Sequence, residues 1–339
     1  MDETQQRKKD HLSLFANAGY GLSIDSGFSK YRFEHNALPE IDFAEIDTSV
    51  EFLNRKLKMP LIISSITEGS ASERINRNLA GIASDFGLGM AVGNWRMAIE
   101  DRLPEGSFAV RSYAPNILLL ANLGAIQLNY GYSVNECRRI VDMIDADALL
   151  LHLNPLQEIF QMKGNTNFSG LLKKIERVCS SLRCPVIVKE VGYGISAATA
   201  KKLQEVGVYG VDVAGMGSTS CSSLENRGSS DVVVKKAVET FLPWGNSTVD
   251  CIVSIAEMRR KIKIIASGGV RNGVDIAKSI ALGANICGNA SDFLHNILIS
   301  RSDCENFVES LILELKTAMM CVGCRNIRGL RSAKLMKIE

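Results

Sequence analysis

The chain has no run of 18 consecutive apolar residues, which argues against a membrane-spanning helix. Met1 to Lys9 is polar and lacks the apolar core of a signal peptide. No basic run carries interleaved aromatic residues, so nucleic acid is not an expected partner. A soluble cytoplasmic protein is the expectation. Its nine cysteines are odd in number and lack the spacing of a disulfide framework, as fits a reducing compartment. Cys321-Val322-Gly323-Cys324 is a lone CxxC with no second ligand pair at zinc-site spacing, so the pair is expected to belong to a C-terminal helix. The net charge of +2 argues neither for nor against an anionic ligand.

What is present is enough for one large domain, since 339 residues at 46% hydrophobic and 22% charged can bury a full core. Short apolar runs begin near Leu61, Leu88, Ile117, Ala148, Val186, Tyr209, Ile264 and Ile286. Such runs suit strands of a parallel sheet covered on both faces. Between them, Ile75 to Phe86, Val134 to Ile144, Phe168 to Leu182, Ala197 to Val206 and Asn272 to Leu282 carry apolar residues at helical spacing. The alternation predicts an α/β fold, a (β/α)8 TIM barrel with an N-terminal extension. A doubly wound open sheet is the competitor; it concentrates its site at one switch point, whereas polar motifs here follow almost every strand.

Residues 1–59 are expected to form an arm covering the barrel mouth, with residues 60–339 forming the barrel. The stretch from about 214 to 262, rich in Gly, Ser and Asn, is expected to be a lid. Arg7, Lys8 and His11 in the arm would suit a diphosphate clamp. A solvated charge cluster near a terminus is the alternative.

The polar strand ends would project into one mouth. They are Ile66-Thr67-Glu68-Gly69, Gly93-Asn94-Trp95-Arg96, Asn122 to Ala125, His152 to Glu158, Lys189 to Gly192, Asp212 to Thr219, Ser267 to Gly273, and Gly288-Asn289-Ala290. Gly268-Gly269, Arg271 and a helix starting near Asn272 make a phosphate cradle where this fold often has one; an ordinary glycine turn is the other reading. Lys189 ends a buried run and needs an anionic partner. One candidate is a flavin, whose reduced form is stabilised by a nearby cation; the other is a barrel carboxylate such as Glu190 or Asp212. The densest cluster, His152-Leu153-Asn154-Pro155-Leu156-Gln157-Glu158, puts an imidazole, two carboxamides and a carboxylate within seven residues.

These motifs together resemble the type 2, flavin-dependent isopentenyl diphosphate isomerases, from Arg7 to about Leu294. The matching residues are Arg7, Lys8 and His11, the run His152 to Glu158, Val186 to Gly192, Asp212 to Gly215 and Ala266 to Gly273. The resemblance implies an FMN-bound barrel that interconverts isopentenyl and dimethylallyl diphosphate with reduced FMN and Mg2+, NADPH serving as flavin reductant, in a homotetramer or homo-octamer. By position it assigns Arg7, Lys8, His11, Arg96 and Asn154 to the substrate, and Thr67, Asn122, Lys189, Thr219, Gly268, Gly269 and Arg271 to FMN. Ile66, Glu68, Asn94, Asn289 and Ala290 are grouped with the FMN set as strand-end neighbours. Gln157 would lie beside the reacting carbons, Glu158 would bind Mg2+, and Glu225 would be a further acid or base. Glutamine does not ionise at neutral pH, so Gln157 suits orientation or relay, with the flavin as acid/base centre. His152 fits either a substrate contact or a satisfied core histidine.

The chain departs from the family pattern at Glu68, where glycine is usual, at Asn94 and Trp95 in place of serine and glutamine, at Ser218 in place of glycine, and at Cys221 in place of tryptophan. These positions fall on expected FMN and diphosphate contacts and motivate an alternative, a binding relative without turnover. A flavin-dependent 2-hydroxy-acid oxidoreductase is a third reading; it could use His152 and Arg96 but would leave the Gln157–Glu158 pair idle.

Overall fold

A computed structural model describes residues 25–65, 72–94, 99, 110–217, 231–259 and 262–338. Its centre is a closed barrel of eight parallel strands. They are β4 (Leu61–Ile63), β5 (Gly89–Ala91), β6 (Leu119–Gly124), β7 (Ala148–His152), β8 (Val186–Lys189), β9 (Gly210–Asp212), β10 (Lys263–Ala266) and β11 (Ile286–Asn289). Each of the eight expected runs supplies one strand. Sequence neighbours pair throughout, and β11 closes the ring on β4 through Cys287↔Leu61 and Asn289↔Ile63, so the open-sheet alternative is excluded.

Alternation along these strands separates two cores. Leu61, Ile63, Leu119, Ala121, Leu149, Leu151, Val186 and Val188 face outward into the layer shared with the helices. Ile62, Leu120, Leu150, Ile187, Ile265 and Ile286 face inward and fill the lower barrel. Two residues further along, the same parity aims Ser64, Asn122, His152, Lys189, Asp212 and Ser267 at the barrel axis. One inward layer is apolar, and the next is polar.

The outer helices follow the expected segments. The first, α1 (Ser72–Phe86), follows β4; α2 (Val110–Tyr113) is a single turn; and α3 (Val134–Ile144) starts with a capping box between Ser133 and Glu136. Pro155 opens α4 (Pro155–Phe160) in its first turn, where its missing N–H costs nothing. Two amphipathic helices come next, α5 (Leu171–Ser181) and α6 (Ala197–Glu205). Beyond the barrel's sixth strand lie α7 (Val232–Thr240) and α8 (Thr248–Ala256). Asn272 caps α9 (Gly273–Leu282), and Gly283 ends it in the left-handed region at φ 119°. The chain then forms α10 (Ser291–Ile299) and α11 (Arg301–Cys321). Cys321 ends α11 and Cys324 follows it; among the described residues no group of three or more His, Cys, Asp or Glu is placed to hold a metal. All eight described cysteines are free, and no described helix is long and apolar enough to cross a membrane.

The described parts of the extensions add two features to the expectation. The arm also reaches the far end of the barrel. Its β2 (Val50–Phe52) and β3 (Arg55–Leu57) form an antiparallel hairpin whose Phe52 and Leu57 pack on the inward apolar layer at the opposite, N-terminal end of the barrel. Arg55 fixes it there through Asp147 at 2.7 Å. The cause is apolar surface, since the lower layer would otherwise be open to water. Among the described residues of the arm, the stretch around Ser26 reaches the mouth side, where its carbonyl accepts from Val249 N at 3.0 Å. Nearer its start, β1 (Tyr31–Phe33) pairs with the C-terminal β12 (Leu335–Lys337). Within residues 214–262, α8 buries Val249, Cys251, Ile252 and Ile255 as an ordinary coat helix of the barrel.

Candidate active site at the barrel mouth

The polar layer is knit by side-chain contacts between neighbouring strands. On β7, His152 lies beside Gly124 of β6 and Lys189 of β8, and its Nδ1 is 2.8 Å from Asn122 Oδ1. The strand then turns through Asn154 into α4. Asn154 Nδ2 donates to Gln157 Oε1 at 3.2 Å and to Glu158 Oε1 at 3.0 Å. The amide of Asn165 donates to Glu158 Oε2 at 2.5 Å. Glu158 is therefore a buried, oriented carboxylate, and Asn154 Oδ1 beside it is buried without a hydrogen-bond partner among the described residues.

On the other side, Lys189 meets Asp212 of β9, Nζ to Oδ2 at 3.0 Å. Ser267, just past β10, donates to Asp212 Oδ1 at 2.5 Å and accepts from Lys189 Nζ at 3.4 Å. The lysine thus has the carboxylate partner that sequence reading placed second, and it is Asp212. Glu190 turns away, accepting the amides of Val191, Gly192 and Tyr193 on one oxygen at 2.5 to 2.7 Å. Burial still outweighs those amides and pushes its carboxyl up to about 7.

The expected phosphate cradle is built from two further strand ends. Gly268 (φ 96°) and Gly269 (φ 77°) lie against the loop after β9, where a Cβ on Gly268 would come within 2.2 Å of Gly215 O. Glycine is required there by backbone meeting backbone. One guanidinium nitrogen of Arg271 is pinned on Gly217 O at 2.8 Å, so its fork is only partly available to a ligand. Thr248 donates to Gly268 O at 2.5 Å and holds the loops together. At the eighth strand end, Ala290 sits at the N-cap of α10 and provides no side-chain cap. A helix start without a side-chain cap could hold an anion. Among the described residues, Ser64 Oγ, Ser65 Oγ and Asn289 Oδ1 are buried without hydrogen-bond partners, in line with a ligand that brings its own polar groups. Asn289 Nδ2 is held by Val270 O and Asp292, and burial raises the Asp292 carboxyl above its ordinary value.

A model of the family described as FMN-dependent dehydrogenase matches residues 152–337. Isopentenyl-diphosphate delta-isomerase of Nostoc sp. is 45% identical over 340 residues, 99% of this chain and 97% of that protein. The protein of the same name from Oceanobacillus iheyensis is 42% identical over 335 residues, 98% of this chain and 96% of its own length. The chain belongs to the isopentenyl-diphosphate delta-isomerase family. Among solved structures, a lactate oxidase of Pediococcus acidilactici is similar with TM-score 0.70 at 15% identity, over 98% of this chain and 93% of that one. A mandelate oxidase mutant with a monooxide FMN adduct gives TM-score 0.67 at 15% identity, over 99% and 100%. At that identity they show the shared fold alone.

In this isomerase-family chain the described site positions gather at one end of the barrel: Asn122 lies within β6, and Asn94, His152, Asn154, Gln157, Glu158, Lys189, Gly268, Gly269, Arg271, Asn289 and Ala290 all follow or end strands there. Arg7, Lys8, His11, Ile66, Thr67, Glu68, Trp95, Arg96, Ser218, Thr219, Cys221 and Glu225 lie outside the described residues. Sequence reading placed Asp212 and Ser267 among the strand ends at the mouth without giving them a site role, and it passed over Ser64 and Thr248. For the first three, strand parity carried the signal, since each sits two residues beyond an inward position of the lower layer. Thr248 gave none, because its contacts are to carbonyls far along the chain.

Proposed function

We propose that this chain interconverts isopentenyl and dimethylallyl diphosphate, using FMN reduced by NADPH, and Mg2+. The observation that carries the reading is the set Asn154, Gln157 and Glu158, joined by hydrogen bonds of 3.0 to 3.2 Å at the end of the strand whose His152 neighbours Lys189. It is supported by 45% identity to a protein named for that activity.

The residues fit the cofactor. The bare start of α10, with Asn289, Ser64 and Ser65, would hold the phosphate and its linker, while Lys189 would face the ring. Reduced FMN supplies an acid/base centre for moving a proton on and off the carbon skeleton. Asn154 fixes the Gln157 carboxamide through its oxygen, so Gln157 orients the reacting carbons or relays a proton without ionising. Glu158, aided by Asn154 Oδ1, would offer oxygen donors to Mg2+, the diphosphate and water completing the shell such an ion prefers. Arg7, Lys8, His11 and Arg96 are assigned to the diphosphate and Glu225 to a second acid/base role. An oligomeric cytoplasmic enzyme belongs to the same reading.

The test is conversion of isopentenyl diphosphate by FMN-loaded protein with NADPH and Mg2+ under anaerobic conditions. Product is expected only with reduced flavin, and Gln157→Asn is expected to lower kcat by about 100-fold or more. Wild-type protein giving no more product than that variant would sink the proposal. If it instead oxidises a 2-hydroxy acid, the oxidoreductase reading takes its place.

A further inference from the structure

We propose that Asp212, held by Ser267, is a positioning residue that sets the charge Lys189 presents to the barrel mouth. On this view a bound flavin faces a lysine–aspartate pair and not a bare cation. The inference rests on the FMN reading above.

Three adjacent strand ends build the arrangement. Lys189 and Asp212 are register partners, and Ser267 lies two residues beyond Ile265, the partner of Asp212 on the far side. Asp212 is 0% exposed and Lys189 only 8%, so water screens neither charge. The contact from Nζ to Oδ2 is 3.0 Å, a close buried ion pair. The Ser267 hydroxyl spreads part of the carboxylate's charge by donating to Oδ1. Glu190, the other acid within reach along the chain, is committed to three amides of its own loop.

A lysine that is already neutralised stabilises an anionic ring less than a free one. Removing the carboxylate while keeping the shape should favour the reduced, more negative flavin. Keeping the carboxylate while removing the hydroxyl should do the opposite, because the carboxylate's field is then less dispersed. A purely structural role for Asp212 predicts neither sign.

The experiment measures the midpoint potential of FMN bound to the full chain, relative to free FMN, from visible spectra at pH 8, where reduced flavin is anionic. This gives the ratio of affinities for reduced and oxidised flavin without any turnover. In Asp212→Asn the ratio is expected to rise about tenfold or more, the scale of one unit charge acting across several Å of protein. In Ser267→Ala it is expected to fall by a smaller factor. A ratio within twofold of wild type in Asp212→Asn, or a fall, overturns the proposal. If Asp212→Asn does not fold, Ser267→Ala decides: an unchanged or raised ratio overturns it. Wild-type protein that takes up no FMN overturns the cofactor reading, whereas normal uptake with an unmoved ratio overturns this inference alone.

Discussion

The lower and upper barrel use the same strands and the same inward positions, two residues apart, with opposite chemistry. Below, Ile62, Leu120, Leu150, Ile187 and Ile265 close an apolar plug, completed by Phe52 and Leu57 of the hairpin. Above, the register continues as Ser64, Asn122, His152, Lys189 and Ser267, with several polar atoms tied to neighbours and others left without partners. The contrast shows how stability and chemistry are divided. The lower layer contributes hydrophobic burial and a rigid floor; the upper spends that rigidity on holding charges out of water.

The largest break in this division should come from Lys189→Met. It leaves Asp212 buried and uncompensated, and losing one partner of such a pair costs about 3–5 kcal/mol. The double variant Lys189→Met with Asp212→Asn should recover most of that stability in urea unfolding but not FMN affinity, measured by fluorescence titration. Leu150→Ala acts on the other layer: about 2–5 kcal/mol of stability should be lost, with FMN affinity unchanged. A large affinity loss there would show that the two layers are not separable. Gly268→Ala sits between them, since its Cβ would meet Gly215 O at 2.2 Å and its φ is 96°. Backbone must shift at both loops, so roughly 1–3 kcal/mol of stability and some cofactor affinity should fall together.

The remaining effect is a pH dependence. Glu190 has its carboxyl raised from 4.5 to about 7 by burial. The folded protein therefore keeps this proton over a window where the unfolded chain has released it, and stability falls as pH rises through that window. Above about pH 7 the contribution levels off. Glu190→Gln should flatten the decline in Tm between the two ends of the window; an identical decline in the variant would assign it to other groups.

The barrel was legible because fully buried parallel strands are continuous apolar runs with turns at their ends, as at Ala148 to Leu151. The helices were legible for the same reason at a different period, Val134–Ile144 being found at its observed bounds. The hairpin was not. Its turn places Leu53 and Asn54 at φ 52° and 57°, and leucine is a poor marker of that conformation. The α8 helix was hidden by the long glycine- and serine-rich approach to it, although Val249, Ile252 and Ile255 keep helical spacing.

The sequence by itself determined the eightfold alternation, the end of the barrel that carries polar groups, and the run of residues around Gln157, because each is written in local period and composition. Tertiary structure alone decided that Lys189 answers to Asp212 and not to its neighbour Glu190, and that the arm's hairpin plugs the far end. Those choices depend on which side chains the closed ring brings within a few Å across strands distant in sequence. No local pattern encodes such distances.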